Sequence, residues 1–360
     1  MTLPQKISHS KSEKIRHFNP NEIGKIGMNI YGLPFSEEEA DIVILPVPWE
    51  VTASYGIGTA RGPEAIFKAS PQIDFYDPEF PDLWKKGIFM KKISSDLTKK
   101  NDLLRKKTAQ YIRFLEKGGD VSKNRPIQTT LDTLNQACKE MNEWVYSQTK
   151  NLLNQKKLVG VLGGEHSVPL GFYQALSERY NDFGILHFDA HMDLRKAYEG
   201  FEFSHASIMY NTLKLRQVQK LAQVGIRDFC EEELRIVKKN KNRVDVFTNL
   251  DMKKSLYEGK TWKKICEDII RRLPKYVHVS FDIDVFVHAL CPHTGTPVPG
   301  GLQFEESLYL LSLLAESGKV IIGFDLCEVS QNNDDWDGNV GARILYKLCG
   351  FMAKSRGILS

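Results

Sequence analysis

The sequence contains few cysteines, and none of them belongs to a recognisable pair. Its six cysteines are scattered over 360 residues, and no two of them are separated by only two positions. Isolated cysteines are typical of proteins in reducing compartments, and a thiolate zinc site is not expected without a CxxC pair. The cysteine pattern therefore predicts a cytoplasmic protein whose metal sites, if it has them, use other ligands.

Long apolar runs are also missing. No stretch approaches the roughly 18 consecutive apolar residues that a membrane-spanning helix needs. The amino-terminal segment MTLPQKISHSKSEKIRH has no apolar core of the kind found in secretory signals. We therefore expect neither a membrane partner nor export.

The chain has little excess charge of either sign. It contains 49 basic and 45 acidic residues, which gives a formal net charge of +4. Such a small excess gives no reason to expect nucleic acid or an anionic membrane as a partner. The glycines of YGIGTARGP (55–63) do not have the spacing of a GxGxxG or Walker A motif, so a phosphate-binding loop is not predicted either.

Two regions are expected along the chain. Residues 1–28 are polar and mildly basic, without the periodicity of a helix or strand, and we interpret them as a flexible arm or a contact to another subunit. Residues 29–360 are expected to form one catalytic domain, because no repeat, low-complexity tract or linker divides them.

Strand and helix patterns alternate through that domain. Strands are predicted at 40–49, 86–93, 158–162, 183–188, 220–226, 243–248, 276–282 and 318–325. The main helices are predicted at 103–117, 127–153, 168–180, 205–219, 229–239, 260–272, 303–317 and 339–353. Alternation of this kind indicates βαβ units, so the fold class is α/β with an eight-stranded, mostly parallel sheet.

Side chains that can bind metal follow three of the predicted strands. Side chains two apart on extended backbone point to the same face, and the carboxyl ends of parallel strands meet at one edge of the sheet. Buried carboxylates are costly without partners, so we interpret the cluster as a dinuclear metal site. Its six predicted ligands are His166, Asp189, His191, Asp193, Asp282 and Asp284.

Four aspartates and two histidines indicate which metals are expected. One carboxylate can bridge two ions, and paired ions about 3.5–4 Å apart lower the pKa of a water molecule toward ~7. Hard oxygen ligands with some imidazole favour Mn²⁺; Ni²⁺, Co²⁺ and Fe²⁺ are alternatives, and Zn²⁺ is disfavoured.

The same stretches resemble the ureohydrolase family of arginases, agmatinases and formiminoglutamases, and the resemblance extends from Asp41 to Leu348. The family's fold is a single three-layer α/β/α domain around an eight-stranded parallel sheet, which agrees with the strand count above. The motifs are GTARGPEAI (58–66), GGEHS (163–167), DAHMD (189–193), SFDID (280–284), TGTPVPGG (294–301) and FDLCEVS (324–330).

The resemblance implies a role for each motif residue. It implies one manganese ion held by His166, Asp189, Asp193 and Asp282, and a second held by Asp189, His191, Asp282 and Asp284, with Asp189 and Asp282 as bridges. Glu328 stands where the family pairs a carboxylate with the substrate guanidinium, and His205 where it has a histidine for proton transfer or substrate contact. We count Asp193 with these two as catalytic. The implied reaction is hydrolysis of a guanidino C–N bond to urea and an amine.

Several positions depart from the family pattern. Glu165 replaces the usual Asp before His166, Val287-His288 replaces an Asp-Pro, His293 replaces a frequent Gly, and Gln331 replaces a common Pro. None is a predicted ligand, so a difference in the shape of loop 285–297 is the expected consequence. His288, His293 and Trp336 are candidates for the pocket wall, whereas His187 and His278 are interpreted as core histidines.

The loop between the second metal motif and His205 bears on the substrate. Arginases carry an Asn- and Ser-rich pattern there for an α-amino-acid head group, and LRKAYEGFEFS (194–204) lacks it. We therefore expect agmatine, with guanidine, guanidinobutyrate, guanidinopropionate and formiminoglutamate as alternatives. A metal-stabilised regulatory protein without activity is the non-enzymatic alternative. The resemblance also implies a homo-oligomer, a trimer or hexamer, and Glu50, Glu199 and Glu202 are the next acids to consider should Glu328 not hold the guanidinium.

Overall fold

A computed structural model describes residues 10–22, 24, 28–332 and 334–359. In these residues eight strands form one sheet in the order β2-β1-β3-β8-β7-β4-β5-β6, and every neighbouring pair is parallel. The prediction of an α/β fold with an eight-stranded parallel sheet is confirmed. The strands are β1 (Ile42–Val47), β2 (Ile88–Met90), β3 (Leu158–Gly163), β4 (Phe183–Phe188), β5 (Val218–Ile226), β6 (Val244–Thr248), β7 (Tyr276–Asp282) and β8 (Val320–Cys327).

Helices connect the strands and cover both faces of the sheet. The helix predicted at 127–153 is observed and extends two residues further at its start and one residue further at its end. The helix predicted at 103–117 begins earlier, at Ser95, where the side chain of Ser94 caps it. In the described residues the helices are α1 (Lys11–His17), α2 (Gly62–Ala69), α3 (Ser95–Glu116), α4 (Arg125–Asn154), α5 (Leu170–Arg179), α6 (Ile208–Thr212), α7 (Glu231–Lys239), α8 (Asn249–Tyr257), α9 (Trp262–Arg272), α10 (Phe304–Glu316) and α11 (Trp336–Ser355).

Successive side chains of the strands point to opposite faces of the sheet, which creates two cores. Ile42 and Ile44 of β1 point into one core, which they share with α2, α9, α10 and α11, while Val43 and Leu45 point into the other, with α3, α4 and α5. Successive side chains of a strand point to opposite faces, so a strand that is apolar throughout must be covered on both sides. This burial gives the three-layer α/β/α arrangement.

One predicted helix is much shorter than expected, and one observed helix was not predicted. The helix predicted at 205–219 is only a 3-10 turn at His205–Ser207 followed by the five-residue α6, because turns at Lys214 and Leu215 lead directly into β5. The sequence analysis also missed α8, whose polar sequence buries only Met252 and therefore shows little periodicity. Thr248 caps α8 by accepting a hydrogen bond from the backbone of Asp251.

The arm contains a helix that was not expected. Ser10 and Glu13 form a capping box at the start of α1, and Lys11 pairs with Asp41 at 2.9 Å. Just after the helix, Phe18 packs against the Trp84 ring with a centroid distance of 5.2 Å. The expectation of no periodic structure is therefore wrong for 11–17; the rest of that prediction falls partly on residues 1–9, 23 and 25–27, which lie outside the described residues. No helix in the described part of the chain combines the length and apolar character needed to cross a membrane.

The four central strands position the cleft. Strands β3, β8, β7 and β4 are neighbours in the sheet, although β3 and β4 are separated by two strands that come much later in the chain. Their carboxyl ends therefore lie side by side at one edge, which is where parallel α/β sheets bind ligands.

Candidate metal centre and active-site cleft

The first group of predicted ligands surrounds His166, which follows β3. Its Nδ1 atom lies 3.1 Å from Asp189 Oδ2, 3.1 Å from Asp282 Oδ2 and 3.4 Å from Asp193 Oδ2. These atoms come from three different strand ends, and all four side chains are buried. One nitrogen and three carboxylate oxygens facing a common point form a donor set suited to a divalent cation.

A second group surrounds His191 and shares one residue with the first. His191 Nδ1 lies 3.1 Å from Asp284 Oδ2 and 3.4 Å from Asp189 Oδ1. Asp189 therefore directs one oxygen toward each group. The ligand atoms of Asp189, His191 and Asp284 lie close enough together to hold a metal ion, and so do those of His166, Asp189 and Asp193 together with His187. The structure thus brings the six predicted ligands together in two adjoining clusters.

Backbone hydrogen bonds hold the carboxylates in place. Asp282, the last residue of β7, accepts from the backbone N–H of Asp284 at 2.9 Å and so begins a 3-10 turn. Asp284 Oδ1 in turn accepts from Ala190 N at 2.9 Å, which links the end of β7 to the loop after β4. Asp193 has a positive φ of 54°, a conformation that L-residues rarely adopt.

Charge crowding dominates the electrostatics of the centre. Burial and the nearby charge of Asp189 raise the pKa of Asp193 well above its usual range, and burial with Asp284 does the same to the pKa of Asp282. Burial opposes ionisation of Asp189 as well, but the adjacent imidazoles, His187 first, keep its pKa low. Four carboxylates so close together need positive charge, which two divalent ions would supply.

The structure shows a hydrogen-bond network behind His166 that the sequence analysis missed. The His166 Nε2 atom lies 2.8 Å from Ser280 Oγ, and that hydroxyl donates to Asp325 Oδ1 at 3.0 Å. Tyr173 and His278 also bond to Asp325, at 2.9 and 2.7 Å. Because the hydroxyl proton of Ser280 is directed to Asp325, its oxygen accepts from His166 Nε2–H, and Nδ1 is the ring atom that faces the carboxylates. The available signal was an Asp inside the otherwise apolar strand β8.

His187 has a comparable place behind Asp189. Its Nε2 atom lies 2.8 Å from Asp189 Oδ2, and its Nδ1 atom lies 3.0 Å from the amide nitrogen of Gln223. Since that amide donates to Nδ1, the imidazole proton is on Nε2 and is donated to Asp189. Burial lowers the pKa of His187, in agreement with a neutral ring. His187 and His278 are both fully buried, as interpreted from the sequence.

Glu328 follows the end of β8 and adjoins the metal cluster. Its Oε1 atom accepts from the backbone N–H of His166 at 2.8 Å, and its φ is +63°. Burial raises the pKa of Glu328 to about 7, against the opposing charge of His205. It lines a small recess of the cleft together with Tyr55, His205 and Thr296.

The cleft leads from this recess to solvent. It has a volume of about 240 Å³, and His191, Asp193 and His205 form its inner wall. Three aromatic and three charged side chains also line it: Tyr55, Tyr198, Phe229, Arg195, Asp228 and the buried Glu233. Arg195 packs over the ring of Tyr198 at 4.9 Å. The cleft and the recess share Ser54, Tyr55, His205 and Thr296, so Glu328 lies next to the cleft.

Glu50, Glu199 and Glu202, the alternatives to Glu328 for holding the guanidinium, have different surroundings. Glu50 accepts from Gly58 N at 2.7 Å and from Ala60 N at 3.1 Å, so its carboxylate holds the glycine-rich loop. Glu202 is exposed. Glu199 has a positive φ of 52° and one buried carboxylate oxygen without a hydrogen-bond partner.

His288, His293 and Trp336, the candidates for the pocket wall, do not line the cleft. His288 is exposed, and His293 Nδ1 lies 2.7 Å from Asp337 Oδ2 at the start of α11. Trp336 is 46% exposed, and its indole N–H donates to the backbone of Ala289. Loop 285–297 is therefore tied to α11 by polar contacts from two of the three candidates.

Comparison with known proteins agrees with this geometry. The model of the arginase family matches residues 40–350. The chain belongs to the arginase family. The resemblance to ureohydrolases drawn from the motifs is thereby confirmed, and this arginase-family chain is a hydrolase of the class that acts on guanidino C–N bonds.

Its relatives and structural neighbours include proteins named for agmatine and its derivatives. It is 29% identical over 323 residues to N(1)-aminopropylagmatine ureohydrolase of Thermus thermophilus, covering 90% of this chain and 94% of the relative. It is 27% identical over 302 residues to agmatinase of Bacillus cereus, with coverages of 84% and 88%. The crystal structure of agmatine ureohydrolase of Thermoplasma volcanium has a TM-score of 0.69 at 23% identity and covers 96% of this chain and 99% of that one, which shows a common fold.

Proposed function

We propose that this protein is a dinuclear-metal hydrolase that cleaves agmatine to putrescine and urea. The single observation that carries the proposal is the position of Glu328, whose carboxylate accepts a hydrogen bond from His166 N, beside two candidate metal clusters that share Asp189, and lines a recess next to the cleft. Metal clusters alone would suit many hydrolases, whereas a buried carboxylate beside them suits a cationic, planar guanidinium.

Two Mn²⁺ ions are the proposed cofactors. His166, Asp189, Asp193 and Asp282 would hold one, and Asp189, His191, Asp282 and Asp284 the other. The donor set fits, because four crowded carboxylates balance the four positive charges of two ions, and because mostly oxygen donors with two imidazoles suit Mn²⁺. When bound, the two ions supply Lewis acidity that makes water a nucleophile near neutral pH.

Glu328 would bind and orient the guanidinium. An ionised carboxylate can accept two parallel hydrogen bonds from a guanidinium, which fixes its plane as well as its position. The positive charges of the bound ions and of the substrate favour the ionised form of Glu328, although burial disfavours it. The bound guanidinium carbon would then lie beside the metal ligands.

His205 would act on the proton at the leaving nitrogen. Its ring lines the cleft together with His191 and Asp193. Collapse of the tetrahedral intermediate requires a proton on the departing amine, and an imidazole is the side chain best suited to supply it near neutral pH. Glu328 would hold the substrate meanwhile.

A longer polyamine is a second candidate substrate. Relatives named N(1)-aminopropylagmatine ureohydrolase match this chain at 28–30% identity, and those named agmatinase match it at 27–28%. The cleft opens to solvent past Tyr198, Asp228 and Phe229, so a substituent on the end remote from the guanidinium has a way out. Agmatine and N(1)-aminopropylagmatine are therefore both tested, together with guanidine, guanidinobutyrate, guanidinopropionate and formiminoglutamate.

We also propose a trimer or hexamer in a reducing compartment such as the cytoplasm, with residues 29–360 as one catalytic domain. All six cysteines are free, and five of them are buried, which supports the choice of compartment. Light scattering of the purified protein tests the oligomeric state.

A urea-release assay across this substrate panel tests the proposed function. Protein stripped of metal with a chelator should be inactive and should recover activity with Mn²⁺. Urea release from agmatine or N(1)-aminopropylagmatine should exceed release from the other compounds. Full activity in demonstrably metal-free protein, or no urea from any member of the panel, contradicts the proposal.

A further inference from the structure

Glu165 is a buried acid beside the metal centre for which the proposed reaction has no role. It precedes His166, yet its carboxylate points away from the metal cluster and into the loop that follows β1. Its Oε2 atom accepts from the Thr52 hydroxyl at 2.7 Å, and its Oε1 atom accepts from the Ser167 hydroxyl at 2.9 Å. Thr52 N also lies 3.2 Å from Oε2. These bonds hold a fully buried carboxylate in one orientation.

The oxygen held by Thr52 faces His205. Glu165 Oε2 lies 3.6 Å from His205 Nδ1, and Nδ1 is buried without a hydrogen-bond partner. His205 is the one basic side chain recorded within 4 Å of the Glu165 carboxylate among the described residues. The Glu165 carboxylate has hydroxyl and amide donors but no other basic neighbour among the described residues, and the buried His205 Nδ1 has no hydrogen-bond partner, so the two groups are matched to each other.

We propose that Glu165 is a positioning residue that accepts a hydrogen bond from His205 Nδ1 and thereby orients the imidazole toward the substrate. A proton kept on Nδ1 leaves Nε2 for the leaving nitrogen, as an acid does when it fixes the tautomer of a catalytic histidine. The inference rests on the proposed function, in which His205 acts at the leaving nitrogen.

The observed separation agrees with this role. A distance of 3.6 Å is slightly longer than a hydrogen bond, and active-site hydrogen bonds are often long before substrate binds and shorten afterwards. His205 is the first residue of a 3-10 turn, and the 3.6 Å separation is within the distance at which a change of side-chain torsion can bring two groups into a hydrogen bond. Glu165, Glu328 and His191 are the charged groups that act on the ring.

A double-mutant cycle tests the proposal. We expect Glu165→Gln to lower kcat by at least about tenfold, to leave KM within about threefold, and to retain both metal ions. In a His205→Asn background the same substitution should change kcat by less than about twofold, because its effect passes through the ring. If the double variant loses kcat by the product of the two single-variant factors, Glu165 acts independently of His205 and the positioning role is overturned.

A second measurement does not depend on activity. The rate at which diethyl pyrocarbonate modifies His205, followed by peptide mass spectrometry across pH, gives the pH midpoint of that ring. Glu165→Gln should lower the midpoint by at least about 0.5, because a carboxylate beside an imidazole favours its charged form. The exposed His288 is the internal control and should not change. An unchanged midpoint at His205 overturns the proposal.

The two measurements separate this inference from the proposed function. If the wild type releases no urea from any compound, the proposed function fails, while the labelling still decides whether Glu165 acts on His205. If Glu165→Gln does not fold or loses metal, Glu165→Asp takes its place, since it keeps the charge but withdraws the carboxylate by one methylene. Wild-type kcat together with an unchanged midpoint in Glu165→Asp overturns the proposal.

Discussion

At the scale of single residues, acidic side chains in and around the cleft lie on backbone that is unfavourable for them. Asp193, Glu199 and Glu328 have φ values of 54°, 52° and 63°. Such a conformation costs of order 1 kcal/mol or more for a residue with a side chain and persists only where neighbours enforce it. At Glu328 the neighbours are identifiable, because its N–H donates to Gly164 and its carbonyl accepts from the Thr294 hydroxyl.

Glu328→Gln is expected to separate guanidinium binding from metal binding. The amide keeps the shape of the side chain but removes the charge and turns one acceptor into a donor. We expect kcat/KM to fall by at least about tenfold, equivalent to ~1.4 kcal/mol, while both metal ions stay bound. Steady-state kinetics with metal analysis measures both, and the exposed Glu202→Gln is the matched control.

Two results would contradict the assignment of Glu328. Loss of metal would mean that the carboxylate supports the metal centre, as its bond to His166 N permits. Wild-type kinetics would mean that the guanidinium is held elsewhere.

Asp282→Ala should remove a bridge between the two metals. Asp282 lies between the clusters, 3.1 Å from His166 Nδ1 and bonded to the backbone of Asp284. We expect urea release to be abolished and at most about one metal ion per chain to remain, because each ion loses a ligand. Metal analysis by mass spectrometry measures the stoichiometry. Asp182→Ala, at an exposed site before β4, is the control, and two ions retained in Asp282→Ala would show that the bridge is misassigned.

At the scale of elements, the strand ends and the loops carry different parts of the candidate site. The ends of β3, β4, β7 and β8 carry the candidate metal ligands and Glu328, whereas the loop 194–204 and the segment after β1 form the outer wall. Close packing leaves little freedom at the strand ends: a Cβ atom on Gly164 would lie 2.1 Å from the carbonyl oxygen of Trp49. The substrate preference should therefore reside in the loops and not in the strands.

The loop 194–204 supports a prediction about arginine. Its side chains in the cleft are Arg195 and Tyr198, stacked on each other, and it has no asparagine or serine before Ser204 to hold an α-amino-acid head group. We expect kcat/KM for arginine to be at least about tenfold below that for agmatine or N(1)-aminopropylagmatine, which lack the α-carboxylate. Urea release from the three compounds, each over a range of concentrations, makes the comparison. Arginine as the best of the three would overturn the choice of substrate.

At the scale of the whole molecule, the metal centre joins the two cores. It lies at the ends of four adjacent strands, each covered on both faces, and burial with neighbouring carboxylates raises the pKa values of Asp193 and Asp282, so their ionised forms need positive charge nearby. Metal binding should therefore contribute to the stability of the fold as well as to catalysis.

The stabilisation by metal should depend on pH. The pKa values of Asp193, Asp282, His166 and His191 are all raised in the metal-free protein, so these groups carry protons at mildly acidic pH. A divalent ion must displace those protons, so Mn²⁺ binds more weakly as pH falls. We expect the increase in Tm on adding Mn²⁺ to be several degrees at about pH 8 and clearly smaller at about pH 5.

Thermal unfolding of chelated and Mn²⁺-loaded protein at both pH values tests this. In Asp282→Ala the increase in Tm on adding Mn²⁺ at about pH 8 should be smaller than in the wild type. An equal increase at both pH values would mean that the ions bind at groups other than these four.

Some features of this protein follow from the sequence by itself. Apolar runs that end in His166, Asp189 or Asp282 identify buried parallel strands, and side-chain periodicity then requires the acids to share an edge. Long amphipathic helices such as α4 are equally readable, since their apolar spacing is a local property.

Other features were decided only by the tertiary structure. The insertion of β7 and β8 between β3 and β4 cannot be read locally, because strand neighbours are chosen by contacts distant in the chain. The helix predicted at 205–219 is cut short after α6 by turns at Lys214 and Leu215, whereas α8 and α1 escape periodicity because they bury few residues and depend on caps. The approach of Glu165 to His205 depends on the loop after β3 and a turn after β4 meeting in space, and only the packed fold brings them within 3.6 Å.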